Sequence, residues 1–320
     1  MQVLRDQSRC PRPPEGTAAT IGAYDGVHVG HRAVIAELRR GAEEQGLRSA
    51  VVTFDRHPAA VVRPDSAPRL LTDLNQKLEL LGATGIDYCL VVTFDEARSR
   101  ETAEEFVREV LVGCLNARIV AIGEDFHFGY KREGDVTLLR KLGAELGFSV
   151  DSIDLVDASG RSADGVADRV SSTQIRTALT GGDLVRANAL LGRQYEARGV
   201  VTRGDGRGGQ VLGFPTANLA VPSDVLLPAD GIYAGWYERR DGSVYPAAIS
   251  VGRRPTFYEH SDTSLLEAHL LDFDGGLYGE PGKVRFAARL RSEERFDSVD
   301  ALAAQMSRDC EEARRVLGVE

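Results

Sequence analysis

The sequence predicts an α/β domain followed by a mostly β domain, and three observations carry that expectation. From about residue 18 to about 156, short β-branched runs alternate with amphipathic segments, the rhythm of β-α units around a parallel sheet. Beyond about 188–192 the pattern changes to short strands separated by Gly and Pro turns, which suits a small barrel. At 320 residues the chain is longer than one hydrophobic core usually supports, so two domains are expected, 1–187 and 188–320.

In chain order, residues 20–23, 50–54, 88–93, 119–122 and 148–153 read as buried strands, because apolar residues fill both alternating faces. A helix is expected over 31–45. Another starts at Thr102, where Thr102 and Glu105 have the spacing of a capping box. Residues 157–168 are rich in Gly, Ser and Asp and read as a loop, leading into a helical stretch at 171–179. In the second half, 196–202, 231–238, 247–251, 265–271 and 284–290 read as strands. At the C-terminus Leu302, Met306, Cys310, Ala313 and Leu317 recur every three or four residues behind Ser298, a suitable N-cap; this stripe reads as core packing.

With 42% apolar and 27% charged residues of both signs, the composition is that of a folded soluble protein. A net charge of -9 argues against nonspecific nucleic-acid binding, which needs an excess of Lys and Arg on one surface. No apolar stretch approaches membrane-spanning length, and the N-terminal segment, with Arg5, Asp6, Arg9 and three prolines by Pro14, lacks a signal-peptide run. A cytoplasmic protein without a membrane partner is expected, its oligomeric state open. Cys10, Cys89, Cys114 and Cys310 form no C-x-x-C pair, so buried or inert thiols are expected, with neither a zinc site nor a disulfide framework.

The sharpest local feature runs from Gly22 to His31, Gly-Ala-Tyr-Asp-Gly-Val-His-Val-Gly-His, read as a strand, a glycine turn and a helix start. Glycines let backbone approach a ligand, and a helix N-terminus turns amides and positive dipole toward an anion. His28 and His31 there can stabilise charge on a phosphoryl group in transfer. Two ordinary turn histidines would satisfy the bare H-x-G-H string equally well. The strand-turn-helix setting with its flanking glycines favours a site.

These residues resemble the H-x-G-H nucleotidyltransferases, specifically the FMN adenylyltransferase module of bacterial bifunctional riboflavin kinase/FAD synthetases. Thr53-Phe54-Asp55-Arg56-His57-Pro58, residues 123–129 (Gly-Glu-Asp-Phe-His-Phe-Gly) and residues 169–176 (Arg-Val-Ser-Ser-Thr-Gln-Ile-Arg) resemble the next three motifs of that module. The resemblance implies ATP binding by Gly22, Asp25, Gly26, His28, His31, Arg169, Ser172 and Thr173. It implies flavin binding by Phe54, His57, Asp125, Phe126 and Phe128. Tyr24 stands where Phe is usual, Arg56 where Pro is common, and His127 at a position usually basic.

No Walker A motif occurs. Residues 204–209 formally satisfy G-x-G-x-x-G, but Pro215 and the β-type sequence after it deny the helix that a dinucleotide fold needs. Residues 212–219, Leu-Gly-Phe-Pro-Thr-Ala-Asn-Leu, resemble the G-F-P-T-A-N motif of riboflavin kinases, and residues 250–257, 266–273, 276–279, 289–291 and 296–298 resemble later parts of that module. The likeness implies Mg²⁺ and ATP phosphates held by Thr216 and Asn218, with Gly204 and Gly213 in the loop over the nucleotide. Hydroxyl and amide oxygens suit so hard a cation. Glu267 would accept the proton of the riboflavin 5′-hydroxyl, presented with His269 on the strand face opposite Leu266, Ala268 and Leu270. Arg291 is expected at the flavin.

Together the resemblances cover nearly the whole chain. They imply an α/β + β architecture: an N-terminal Rossmann-like nucleotidyltransferase (H-x-G-H) domain and a C-terminal riboflavin-kinase-like split β-barrel with a terminal helix. The implied function is bifunctional. Riboflavin and ATP would give FMN, and FMN and a second ATP would give FAD and diphosphate. Three alternatives stand beside it: a kinase with an impaired adenylyltransferase half, a non-catalytic flavin-binding regulator, and nucleotidyl transfer to a non-flavin phosphate.

Overall fold

A computed structural model describes residues 1–5, 10–123, 126–152, 169–203, 214–253 and 264–319. The expected loop at 157–168 and the 204–209 glycine run lie outside the described residues. The chain folds as two units, Met1–Ser172 and Thr173–Glu320.

The first unit is built on a six-stranded sheet, β1 (Gln2–Leu4), β2 (Thr17–Ile21), β3 (Arg48–Phe54), β4 (Tyr88–Val92), β5 (Ala117–Ile122) and β6 (Ser149–Ser152), in the order β1-β4-β3-β2-β5-β6. Every neighbouring pair is parallel. All five residues of β2, Thr-Ala-Ala-Thr-Ile, are buried, as in a strand covered on both faces. From β2 the chain moves outward through β3 and β4, then returns to lay β5 on the other side of β2. Such a reversal leaves a crevice at the C-terminal ends of the two central strands, where open α/β sheets bind ligands.

β2 starts and ends earlier than the expected 20–23, because Gly22 and Ala23 already leave the ladder, Gly22 N–H keeping one bond to the Val52 carbonyl at 3.0 Å. The helix expected over 31–45 spans Val29–Glu44. The helix at Thr102 has both halves of its capping box, Glu105 N–H to Thr102 Oγ1 at 3.2 Å and Thr102 N–H to Glu105 Oε2 at 2.9 Å. Among the elements not anticipated are β1 and the helix Leu74–Ala83. β1 is too short to show a period, and the helix buries Gln76 and Lys77, which breaks its apolar stripe.

The cysteine expectation needs correction. Cys10 and Cys114, 104 residues apart, are joined as a disulfide with Cα atoms 4.8 Å apart, while Cys89 and Cys310 are free. Sequence spacing gives no access to a pairing created when the segment before β2 returns to the end of the helical stretch Val107–Cys114. Burial pushes the Cys89 thiol up to about 12, as befits an inert core thiol. Thiol titration of the unfolded, unreduced protein should therefore count two groups; four would refute the bridge.

The second unit closes β7 (Tyr195–Thr202), β8 (Ala217–Ala220), β9 (Gly231–Glu238), β10 (Val244–Arg253), β11 (Ser264–Leu270) and β12 (Pro281–Arg291) into an antiparallel barrel of order β10-β11-β8-β7-β12-β9. Its interior is packed by Tyr233, Tyr237, Ile249, Leu266, Ala268 and Phe286, all fully buried. The helices Ser172–Thr180 and Leu184–Leu191 precede the barrel. The terminal helix Val299–Leu317 starts at Ser298, whose Oγ accepts from Ala301 N–H at 3.2 Å. Ala313 buries that helix against Ala234 and Leu271 outside the barrel. Among the described residues no helix is long and apolar enough to cross a membrane.

Candidate functional site

In the first unit, the turn after β2 is held in an unusual conformation. Tyr24 and Val27 adopt φ of 49° and 39°, and a β-branched residue there is a genuine outlier of the kind that clusters at functional sites. Gly26, at φ 84°, sits between them. Asp25 holds its carboxylate on the 71–72 segment. Buried to 4% exposure, it accepts from Leu71 N–H at 2.9 Å and from Thr72 N–H at 3.1 Å, while Gly26 N–H donates to Thr72 Oγ1 at 3.1 Å. Its task is to clamp the turn to the 71–72 segment.

His28 caps the helix that follows, its Nδ1 accepting from His31 N–H at 3.3 Å. An accepting Nδ1 leaves the neutral ring's proton on Nε2, which makes Nε2 a donor. The His28 and His31 rings stack with centroids 3.6 Å apart. The glycine of H-x-G-H has a packing reason, since a Cβ on Gly30 would come within 3.2 Å of the His28 ring and 3.4 Å of the Val170 carbonyl.

The second and fourth motifs meet this turn. Thr53 Oγ1 donates to the Ala23 carbonyl at 3.1 Å, and Ser172 Oγ donates to the Asp25 carbonyl at 2.9 Å. His57 lines a small cavity with Asp25, Asp55, Arg56 and Thr72, its Nδ1 accepting from Ala59 N–H at 3.1 Å. Arg169 directly precedes Val170 at the Gly30 contact, and Thr173 is the first residue of the second unit. Gly123 follows β5, beside β2 at the reversal; Asp125 lies outside the described residues. Phe126 and Phe128 stack on each other at 5.5 Å and Phe54 meets Phe94 edge-on at 5.3 Å, with Phe54, Phe126 and Phe128 half-buried against the core. One contributor was missed. Lys77 lines the same cavity, donating to the Ala23 carbonyl at 3.1 Å and the Phe54 carbonyl at 2.8 Å, and burial lowers the pKa of its ammonium.

In the second unit, a cavity of about 680 Å³ lies on the outer face of β10 and β11 beside the terminal helix. That is ample for an organic ligand of ordinary size. Alternation along β11 does what the sequence implied: Leu266, Ala268 and Leu270 face the barrel core, whereas Glu267 and His269 line the cavity. Thr216 stands in the same wall. Asn218 pairs with Glu267 across the β8–β11 ladder, and its buried Oδ1 has no hydrogen-bond partner among the described residues. A buried acceptor left in that state is costly unless a donor or cation reaches it. Gly204 and Gly213, expected over this site, lie outside the described residues, as do residues 254–257.

Arg291 lines the cavity, but its guanidinium forms a two-pronged pair with buried Asp309, at 2.9 and 2.7 Å. The expectation that the terminal helix's Met-containing stripe is core packing is corrected in part. Ala313 packs in the core with Cys310 and Leu317 against it, while Leu302 and Met306 line the cavity with Phe296 and Ile232, Cys310 doing both. A helical stripe shows that one face is covered without showing whether protein or a ligand covers it. Glu293, whose carboxyl burial pushes up, rests its carboxylate against Gly252, in the space a Cβ would fill.

A family model described as FAD synthetase matches residues 10–173, and one described as riboflavin kinase matches residues 191–317. A curated relative from Haemophilus influenzae is 36% identical over 98% of this chain and 98% of its own length. One from Escherichia coli K12 is 38% identical over 96% and 95%, and one from Listeria monocytogenes 37% over 92% and 90%. All three are named bifunctional riboflavin kinase/FMN adenylyltransferase. A solved structure from Streptococcus pneumoniae, described as a macrolide-efflux protein, matches with a TM-score of 0.83 at 28% identity over 98% of this chain and 99% of its own. Its described role is that protein's; the likeness here is in fold and sequence.

Proposed function

The chain belongs to the bifunctional riboflavin kinase/FMN adenylyltransferase family, and from that premise we propose how its residues divide the two reactions. The protein phosphorylates riboflavin to FMN with ATP in its riboflavin kinase domain and adenylylates FMN to FAD with a second ATP in its FAD synthetase domain. The single observation that carries the division is that each unit gathers its own constellation. His28, His31 and Ser172 meet at the β2 turn, and Glu267, Thr216 and Arg291 line the second unit's cavity.

For the kinase, riboflavin occupies the cavity with its ring system against Ile232, Phe296, Leu302 and Met306. Glu267 accepts the proton of the 5′-hydroxyl as that oxygen bonds to the γ-phosphorus and ADP departs. Thr216 and Asn218 would hold Mg²⁺, and the orphaned Asn218 Oδ1 fits that assignment because it offers a buried oxygen beside a carboxylate. When bound, the ion neutralises charge on the phosphates. Arg291, held by Asp309, presents a fixed cation to the cavity and shapes its wall.

For the adenylyltransferase, a phosphate oxygen of FMN bonds to the α-phosphorus of ATP and diphosphate leaves. His28 and His31, at a helix N-terminus, stabilise the charge that builds there. Gly22, Gly26, Arg169, Ser172 and Thr173 complete the nucleotide cradle, with Asp25 shaping it from behind. Phe54, His57, Asp125, Phe126 and Phe128 form the flavin side. The functional boundary falls near 187/188, between the segments matched by the two family models. The working compartment is the cytoplasm, with small-molecule partners only, neither nucleic acid nor membrane, in keeping with the net charge of -9.

A chromatographic time course with riboflavin, ATP and Mg²⁺ should show FMN and then FAD; riboflavin bound but unchanged would leave only a binding protein. Cys310 gives an independent check on where riboflavin sits. Burial pushes its thiol up to about 11, and it lines the cavity. Maleimide labelling of Cys310 should be slow for a cysteine and slower still with riboflavin present. Unprotected labelling at saturating riboflavin would place the vitamin elsewhere.

A further inference from the structure

We propose that His269 is a positioning residue of the kinase half, a side-chain latch that fixes the Phe214-Pro215-Thr216 turn against Glu267; this rests on the reading of Glu267 and Thr216 given above. The β8–β11 ladder pairs Leu219 with Leu266, Asn218 with Glu267 and Ala217 with Ala268, and there it ends. Asn218 is thus set opposite Glu267 by backbone pairing, but Thr216 is not. The Pro215 carbonyl lies beyond the ladder at an exposed position, where only water or a side chain can pair it. The His269 ring does so, with Nδ1 2.8 Å from the Pro215 oxygen. Phe214 meets the same ring edge-on at 5.3 Å, so two consecutive residues of the turn are held by one side chain.

A carbonyl oxygen only accepts, so Nδ1 carries the proton. The peptide that His269 grips is the one joining Pro215 to Thr216, and its plane sets where the Thr216 hydroxyl lies relative to Glu267. Thr216, Glu267 and His269 line one cavity, so the latch acts within the wall where the phosphoryl group is transferred. Nδ1–H donates in the neutral ring and in the protonated ring alike. A latch therefore leaves the pH profile of turnover unchanged, whereas a proton-transferring histidine would write its own limb into it.

The test uses the full chain with His269→Phe, which keeps a ring against Phe214 and removes the donor, and His269→Asn, whose amide N–H stands near the position of Nδ1. A wild-type-like thermal melt, together with retained FAD formation from supplied FMN, reports that both units of each variant are folded. Loss of one neutral hydrogen bond should raise the KM for MgATP roughly 3- to 10-fold in His269→Phe, with the KM for riboflavin and the pH profile of kcat unchanged. His269→Asn should restore the MgATP KM. An unchanged KM in His269→Phe overturns the latch, as does a His269→Asn no better than His269→Phe, or a loss confined to kcat that removes a pH limb. Glu267→Gln is run alongside. Retained kinase activity there overturns the assignment of Glu267 and the object of the latch with it, whereas an inactive Glu267→Gln beside a wild-type-like His269→Phe overturns the latch alone.

Discussion

Glu267→Gln should lower the rate of FMN formation from riboflavin by roughly 10²- to 10⁴-fold, the usual worth of a positioned general base. The substitution keeps the shape of the side chain and removes its ability to take a proton. Glu267 is half-buried on a strand whose neighbours Leu266 and Ala268 anchor the barrel core, so the strand holds its place without the charge. The effect should fall on kcat and leave the KM for riboflavin nearly unchanged, since the apolar wall of the cavity stays intact. FAD formation from supplied FMN should proceed at the wild-type rate. Rates of the two half-reactions, measured on the same preparation, check this directly. Equal loss in both would signify misfolding, and no loss in either would remove Glu267 from the chemistry.

The second large effect is expected in the other unit. His28→Ala combined with His31→Ala should reduce FAD synthesis by at least about 10²- to 10³-fold, the scale on which a single charge-stabilising donor counts in a transition state. Riboflavin should then be converted to FMN and accumulate there. Because His28 also caps the helix Val29–Glu44, alanine costs about 0.5–2 kcal/mol of helix stability besides the chemistry. His28→Asn separates the two contributions. Asparagine is a good N-cap, so the variant should melt like wild type and still fail to make FAD. A His28→Asn enzyme with normal FAD synthesis would show that the cap, and not the imidazole, is what the reaction needs.

Much of the site was legible because its parts are local in sequence. Thr102 and Glu105 satisfy each other's backbone within one turn, and Ser298 caps the terminal helix in the same way. Glu267 and His269 share a strand face by simple alternation, so their presentation away from the barrel core followed from the period of a strand. His28, Gly30 and His31 form a unit whose glycine is explained by the ring beside it.

What escaped had its cause elsewhere in the chain. The Cys10–Cys114 bridge depends on where the chain returns after 104 residues. Lys77 was missed because a buried ammonium held by two carbonyls from different strand ends leaves no periodic signal. That Leu302 and Met306 line a cavity was not visible, because a helical stripe looks the same whether side chains or a ligand cover it. That Asp25 also clamps residues 71–72 was not visible, because the contact is made across 46 positions.

By itself, then, the sequence determined the two-part architecture and the strands and helices that carry the motifs. Those features rest on local propensity and periodicity, which any stretch of a few residues already expresses. Tertiary structure alone decided that the reversal between β2 and β5 opens at the H-x-G-H turn, that Asn218 faces Glu267, and that the terminal helix walls a cavity. These are choices of strand order, register and packing partner, settled by contacts between residues far apart in the chain, where no local pattern can reach.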